Sequence, residues 1–198
     1  MSEPALKLTS LCVFCGSQAG LDPVYASAAA TLGQELAQQS ISLVFGGGRV
    51  GLMGVVADNV LAGGGHIVGV IPTFLKDKEL AHPRANEMVV VPDMHTRKRV
   101  MFERSDAFCI LPGGVGTLEE MFEIVTWRQL YLHNKPIVVL NTAGYWDNLV
   151  ALFDRMIGAG FAHQGHEALI TVVDDPKDVA PAAAAELAAP KPPVLFKV

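Results

Sequence analysis

The sequence predicts an α/β protein with a doubly wound parallel sheet, and three observations carry that prediction. Short apolar runs alternate with segments of helical period along the chain, the order that gives parallel strands with helices on both faces. Most of the apolar runs end in glycine or proline, where such a chain turns from strand to helix. At 198 residues, 51% hydrophobic and 18% charged, the chain is long enough to bury one core and too short for two ordinary domains. Residues 1–198 therefore read as a single domain.

Leu8–Cys15 is the first predicted strand, closed by Gly16-Ser17. Asp22-Pro23 supplies an N-cap and a proline at the first helical position, opening a helix to about Gln39. Ile41–Phe45 is a second strand, ending in Gly46-Gly47-Gly48, and a helix runs from about Gly51 to Leu61. Gly63-Gly64-Gly65 stops that helix, and His66–Ile71, terminated by Pro72, is a third strand. Thr73–Asn86 is weakly patterned and reads as a loop with a short turn around Phe74–Leu80. Glu87–Val91 is a strand, and Asp93 caps a helix carrying Met94, Val100, Met101 and Phe102. Ala107–Leu111 and a helix over Leu118–Leu132 follow, then the strand Ile137–Leu140 and a helix from about Tyr145 to Ile157. Ala168–Val173 is a last strand, Pro176–Leu187 a last helix, and the proline-broken tail from Ala188 is expected to lie over the surface. Together these elements describe a Rossmann-like domain. In such sheets ligands sit beyond the carboxyl ends of the strands, where the strand order reverses.

A net charge of −5 argues against a nucleic-acid partner, which needs a basic face. No apolar run approaches the ~20 residues of a membrane span, so no membrane partner is expected. The first residues, M-S-E-P-A-L-K, lack the basic and apolar regions of a signal peptide. Three cysteines suit a reducing compartment, the cytoplasm. Cys12 and Cys15 form a C-x-x-C, but residues three apart on a strand point to opposite faces. They read as buried thiols, and no metal site is expected.

The chemistry concentrates between Cys109 and Trp127. A buried strand ends at Pro112, three glycines follow in four residues, and a helix begins. The first N–H groups of that helix are unpaired and its dipole favours negative charge, so the turn can hold an anion. Gly113, Gly114 and Gly116 let a ligand approach the backbone closely. Glu119 and Glu120 add two carboxylates one turn further on. Thr117-Leu118-Glu119-Glu120 also fits a T-x-x-E capping box, a stabilising role compatible with a chemical one.

Gly46-Gly47-Gly48-Arg49-Val50-Gly51 matches G-x-G-x-x-G after a strand and before a helix. A nicotinamide site would need an acidic residue at the end of the next strand, which instead reads Val70-Ile71-Pro72. These glycines therefore read as a close-approach turn. Arg97, Lys98 and Arg99 place three cations on the first turns of a helix, where the dipole disfavours them. Arg99 reads as a solvated face, whereas Arg97 and Lys98 call for an anionic partner, a ligand phosphate or a carboxylate such as Glu120. Glu79 follows the third strand's exit loop and could reach the same mouth. His95 reads as helix packing.

Pro112-Gly113-Gly114-Val115-Gly116-Thr117-Leu118-Glu119-Glu120 resembles the P-G-G-x-G-T-x-x-E signature of the LONELY GUY family, and Met94-His95-Thr96-Arg97-Lys98 its M-H-x-R-K segment. The similarity runs from Cys15-Gly16-Ser17 through Gly46-Gly47-Gly48, Gly69–Pro72 and Thr126-Trp127 to Lys135-Pro136; only the tail after about Pro176 looks unlike it. The family comprises cytokinin riboside 5′-monophosphate phosphoribohydrolases, formerly labelled putative lysine decarboxylases. The resemblance implies a catalytic pair, Arg97 and Glu120. It further implies nucleotide contacts from Glu79, Lys98, Gly114, Val115, Gly116, Thr117, Leu118, Glu119 and Thr126. Gly16, Ser17, Gly46, Gly47, Gly48, Met94 and Gly113, which lie in the matching segments, complete the expected substrate contacts. A homodimer or larger homo-oligomer is implied as well.

The implied reaction is hydrolysis of the N-glycosidic bond of an N6-modified adenosine 5′-monophosphate, giving free base and ribose 5-phosphate without a cofactor. Three rivals stand beside it: a nucleotide-binding or carrier protein without turnover, an NAD(P)-binding oxidoreductase, and a pyridoxal-phosphate decarboxylase. The last would need a Schiff-base lysine, and no lysine is placed to argue for one.

Overall fold

The computed structural model describes residues 7–76, 78, 81–162 and 165–189. The strands are β1 (Ser10–Phe14), β2 (Ser42–Phe45), β3 (Ile67–Pro72), β4 (Glu87–Val91), β5 (Ala107–Ile110), β6 (Ile137–Leu140) and β7 (Thr171–Val173). The helices are α1 (Pro23–Gln38), α2 (Gly51–Ala62), α3 (Thr73–Lys76), α4 (Met94–Glu103), α5 (Val115–Gln129), α6 (Asp147–Gly158) and α7 (Val179–Ala188). All seven strands pair in parallel in one sheet, ordered β4-β3-β2-β1-β5-β6-β7. From β1 the chain winds outward to β4, then returns to lay β5, β6 and β7 on the other side. The reversal therefore lies between β1 and β5, where Phe14 pairs with Ile110. Just beyond, the Gly16 N–H donates to the Pro112 carbonyl at 3.0 Å, joining the two glycine turns.

Alternation along β1 divides the core into two layers. Leu11, Val13 and Cys15 pack with Leu32, Val56 and Ala180 from α1, α2 and α7. Cys12 and Phe14 pack on the opposite face with Met101, Met121 and Phe153 from α4, α5 and α6. The C-x-x-C thiols thus point to opposite layers, as the strand period requires, and both are buried free cysteines. Within the second layer Phe14, Phe108 and Phe102 stack at centroid separations of 6.0 and 5.8 Å.

Most predicted elements lie where the pattern places them, and the departures have local causes. Helix α5 begins at Val115 rather than Leu118, with Gly114 as its extended N-cap. Thr117 therefore lies inside the first turn, no side chain caps the helix, and the capping-box reading fails. The expected helix at Tyr145 starts at Asp147, behind a 3₁₀ turn over Thr142–Gly144 in which Ala143 is left-handed at φ 54°. The strand expected over Ala168–Val173 is shortened by a 3₁₀ turn at His166–Leu169, and the last helix is split at Pro176–Asp178. Thr73–Lys76, read as loop, makes one helical turn. Glu79 and the tail from residue 190 lie outside the described residues.

Asp106 fastens the entry of β1 to that of β5. Its Oδ2 accepts from the Thr9 and Ser10 N–H groups at 2.8 and 2.9 Å and from the Thr9 hydroxyl at 2.7 Å. Burial alone would raise this carboxyl's pKa, but the hydrogen bonds from Thr9 and Ser10 together hold it below its usual value. A depressed folded pKa contributes stability in full above the unfolded value of about 3.9 and loses it as pH falls through the folded value. Asp106→Asn should therefore cost about 1–2 kcal/mol at neutral pH and progressively less below about pH 4. Urea midpoints at pH 7 and pH 3 check this, and an equal loss at both would contradict it.

Candidate active site

The turns leaving β1, β2 and β5 meet helix α4 around a cavity of about 330 Å³ at the switch point. Ser17, Gly114, Gly116 and Thr117 form its polar side; Met53, Leu75, Met94 and Met101 supply apolar surface; Arg97, Glu119 and Glu120 line it too. Helix α5 enters this space uncapped by any side chain, so the N–H groups of its first turn remain available to an anion.

Arg97 is 5% exposed. Its Nε donates to the Val70 carbonyl at 3.0 Å and its Nη2 to the Gly46 carbonyl at 2.9 Å, so the ends of β2 and β3 fix the guanidinium from behind. The Nη1 is then presented 4.0 Å from Glu120 Oε1. Gly46 has no side chain because of this arrangement: a Cβ there would lie 2.0 Å from Arg97 Nη2. The close-approach turn predicted from the triple glycine thus admits a side chain of the protein. Gly47 and Gly48 do not line the cavity. Gly47 accepts from the His82 N–H at 2.8 Å and Gly48 bridges to Ala81, anchoring the loop before β4.

Lys98 turns the other way. Its Nζ pairs with Glu119 and, at 3.1 Å, with Glu123. Burial lowers its pKa, yet the hydrogen bonds and charges of the two glutamates prevail and raise it. The anionic partner expected of this cation is therefore a pair of α5 carboxylates, and Lys98 is not among the cavity's lining residues. Asp93 offsets the dipole cost of the cations by capping α4 through the Thr96 N–H at 2.7 Å, a bond that also lowers its own pKa. His95 is exposed, contrary to the expected packing role. Arg99 lies on the solvated face, 4.0 Å from Glu103.

Glu120 has a side chain 13% exposed, against 53% for Glu119. Leu118 packs into the second core layer and Thr126 is exposed, and neither lines the cavity. Cys15 does line it. Burial, then the charge of Glu120, push its thiol far above the usual range, so it stays neutral and is no nucleophile. Met53, Leu75, Met101 and Tyr145 escaped the motif reading. Apolar wall residues carry no spacing signal, and Tyr145 reaches the glycine turn only through the fold, its hydroxyl donating to the Gly113 carbonyl at 2.7 Å.

Residues 53–183 match the family model described as "Possible lysine decarboxylase". A probable cytokinin riboside 5′-monophosphate phosphoribohydrolase of Oryza sativa subsp. japonica is 49% identical over 161 residues, 81% of this chain and 72% of the relative. A cytokinin riboside 5′-monophosphate phosphoribohydrolase of Arabidopsis thaliana is 47% identical over 161 residues, 81% of this chain and 74% of its own. Among solved structures, the molybdenum cofactor carrier protein of Chlamydomonas reinhardtii superposes with a TM-score of 0.71 at 19% identity, over 92% of this chain and 100% of that one. That likeness shows the fold alone. With a family match over residues 53–183 and relatives 47–49% identical over 81% of its length, the chain belongs to the LONELY GUY family of cytokinin riboside 5′-monophosphate phosphoribohydrolases.

Proposed function

We propose that this protein hydrolyses the N-glycosidic bond of N6-modified adenosine 5′-monophosphates, releasing the free base and ribose 5-phosphate. The observation that carries the reading is the placement of Glu120, largely buried and beside Arg97, in the same cavity as the uncapped start of α5. At about 1.5 Å per residue, Glu120 lies about 7–8 Å along the axis from the helix's first residue. A phosphate on the first turn leaves the ribose alongside Glu120. Loss of the base builds oxocarbenium character on that ribose, and the carboxylate stabilises the cation and orients the attacking water. Arg97 holds the carboxylate and faces the ribose. The methionines and Leu75 receive the base, since thioethers adapt to flat and irregular apolar groups.

Neither Lys98 nor Lys135 favours decarboxylation. A Schiff-base lysine needs a lowered pKa, whereas that of Lys98 is raised. Burial does depress Lys135, but its ammonium lies over the Phe102 ring, 4.1 Å from the centroid, and outside the cavity. Incubation with AMP and isopentenyladenosine monophosphate, with free base followed by chromatography, tests the reading. Catalytic release of base is expected, and ligand-induced stabilisation without release would instead mark a carrier.

The protein works as a dimer or larger homo-oligomer in the cytoplasm. Leu130, Tyr131 and Leu132, at 56, 40 and 67% exposure, form an uncovered apolar run at the end of α5, and the three cysteines are free thiols. Thr126, exposed on the same helix, then serves the nucleotide of a partner subunit. Light scattering at micromolar concentration should exceed the 21.1 kDa of one chain, and a monomer there would refute the assembly.

A further inference from the structure

Beside the catalytic cavity lies a second one of about 380 Å³, and Tyr145 forms part of its wall. Gly113 and Tyr145 line only this second cavity, whereas Gly114 lines both. The Tyr145 hydroxyl donates to the Gly113 carbonyl at 2.7 Å. The tyrosine is itself firmly held. The left-handed pair Ala143 and Gly144 shapes the turn before it. Asn141 Oδ1 accepts from the Trp146 N–H at 2.7 Å, and its Nδ2 donates to Asp147 at 2.9 Å. The ring meets Tyr25 and Trp146 edge-on at centroid separations of 5.5 and 4.7 Å.

A trans peptide is planar, so its C=O and the following N–H point in opposite directions. Fixing the Gly113 carbonyl toward Tyr145 therefore aims the Gly114 N–H away from it. The peptide between Gly113 and Gly114 is the one most in need of such fixing, because two glycines resist rotation least. We propose that Tyr145 is a positioning residue: through the Gly113 carbonyl it locks this peptide so that the Gly114 N–H faces the substrate phosphate. The inference rests on the hydrolase reading above, which supplies the phosphate.

Tyr145→Phe keeps the ring and removes the donor. One hydrogen bond of about 0.5–1.5 kcal/mol converts to a weakening of roughly two- to tenfold in the dissociation constant for ribose 5-phosphate, measured by calorimetry. The kcat/KM for isopentenyladenosine monophosphate should fall by a similar factor, and that for the unphosphorylated nucleoside should stay unchanged. Because a dissociation constant reads only folded protein, a lower folded yield would leave the comparison intact. Unchanged affinity in the variant, or equal losses on nucleotide and nucleoside, would overturn the role of Tyr145 alone. A wild-type protein that neither binds ribose 5-phosphate nor releases base would overturn the hydrolase reading and this inference with it.

Discussion

Glu120→Gln should lower turnover of the nucleotide by at least two orders of magnitude and leave the fold intact. Glutamine matches the size of glutamate and removes only its charge, and a general-base or cation-stabilising carboxylate typically contributes about 10²–10⁴-fold. Helix α5 starts at Val115 with no side-chain cap, so the substitution does not remove a stabilising box at the helix start. The Val70 and Gly46 carbonyls that hold Arg97 are untouched by the substitution. Steady-state kcat beside the thermal midpoint checks both halves. A variant within a fewfold of wild type would remove Glu120 from the chemistry.

The second large effect concerns the substrate's phosphate. The nucleotide should exceed its nucleoside by roughly a thousandfold in kcat/KM. Lys98 is engaged by Glu119 and Glu123, so the donors proposed for the dianion are the backbone N–H groups of α5 and the hydroxyls of Ser17 and Thr117, which line the cavity. Three charge-assisted bonds at about 1.5 kcal/mol each supply roughly 4.5 kcal/mol, about three powers of ten. The phosphate is remote from the bond that breaks, so its binding positions the ribose, and its removal lowers kcat as well as affinity. Both substrates assayed side by side decide this, and equal kcat/KM values would detach the phosphate from the mechanism.

The sheet was legible because its signals are local. Strand–helix alternation and the glycine and proline stops need no knowledge of tertiary contacts, and the switch-point rule then places the site between Gly16 and Pro112. What the spacing could not show were choices among partners. Lys98 and Arg97 are neighbours in sequence and both unfavourable at a helix start, yet one is held by strand carbonyls and the other by α5 carboxylates. Only packing of α4 against α5 distinguishes them. Thr117 looked like an N-cap because T-x-x-E is a short pattern that also arises inside a first turn. Gly46 read as room for a ligand and is room for Arg97. Tyr145 carries no motif, and its contact with Gly113, 32 residues away, exists only once β6 has been laid beside β5.

On the proposed reaction, the bond broken is the one between base and ribose. A mass balance over many turnovers of isopentenyladenosine monophosphate, quantifying free base, ribose 5-phosphate and inorganic phosphate together, tests it most directly. One base and one ribose 5-phosphate are expected for each nucleotide consumed, with no inorganic phosphate. Release of phosphate with the nucleoside left whole, or nucleotide recovered unchanged, would contradict it.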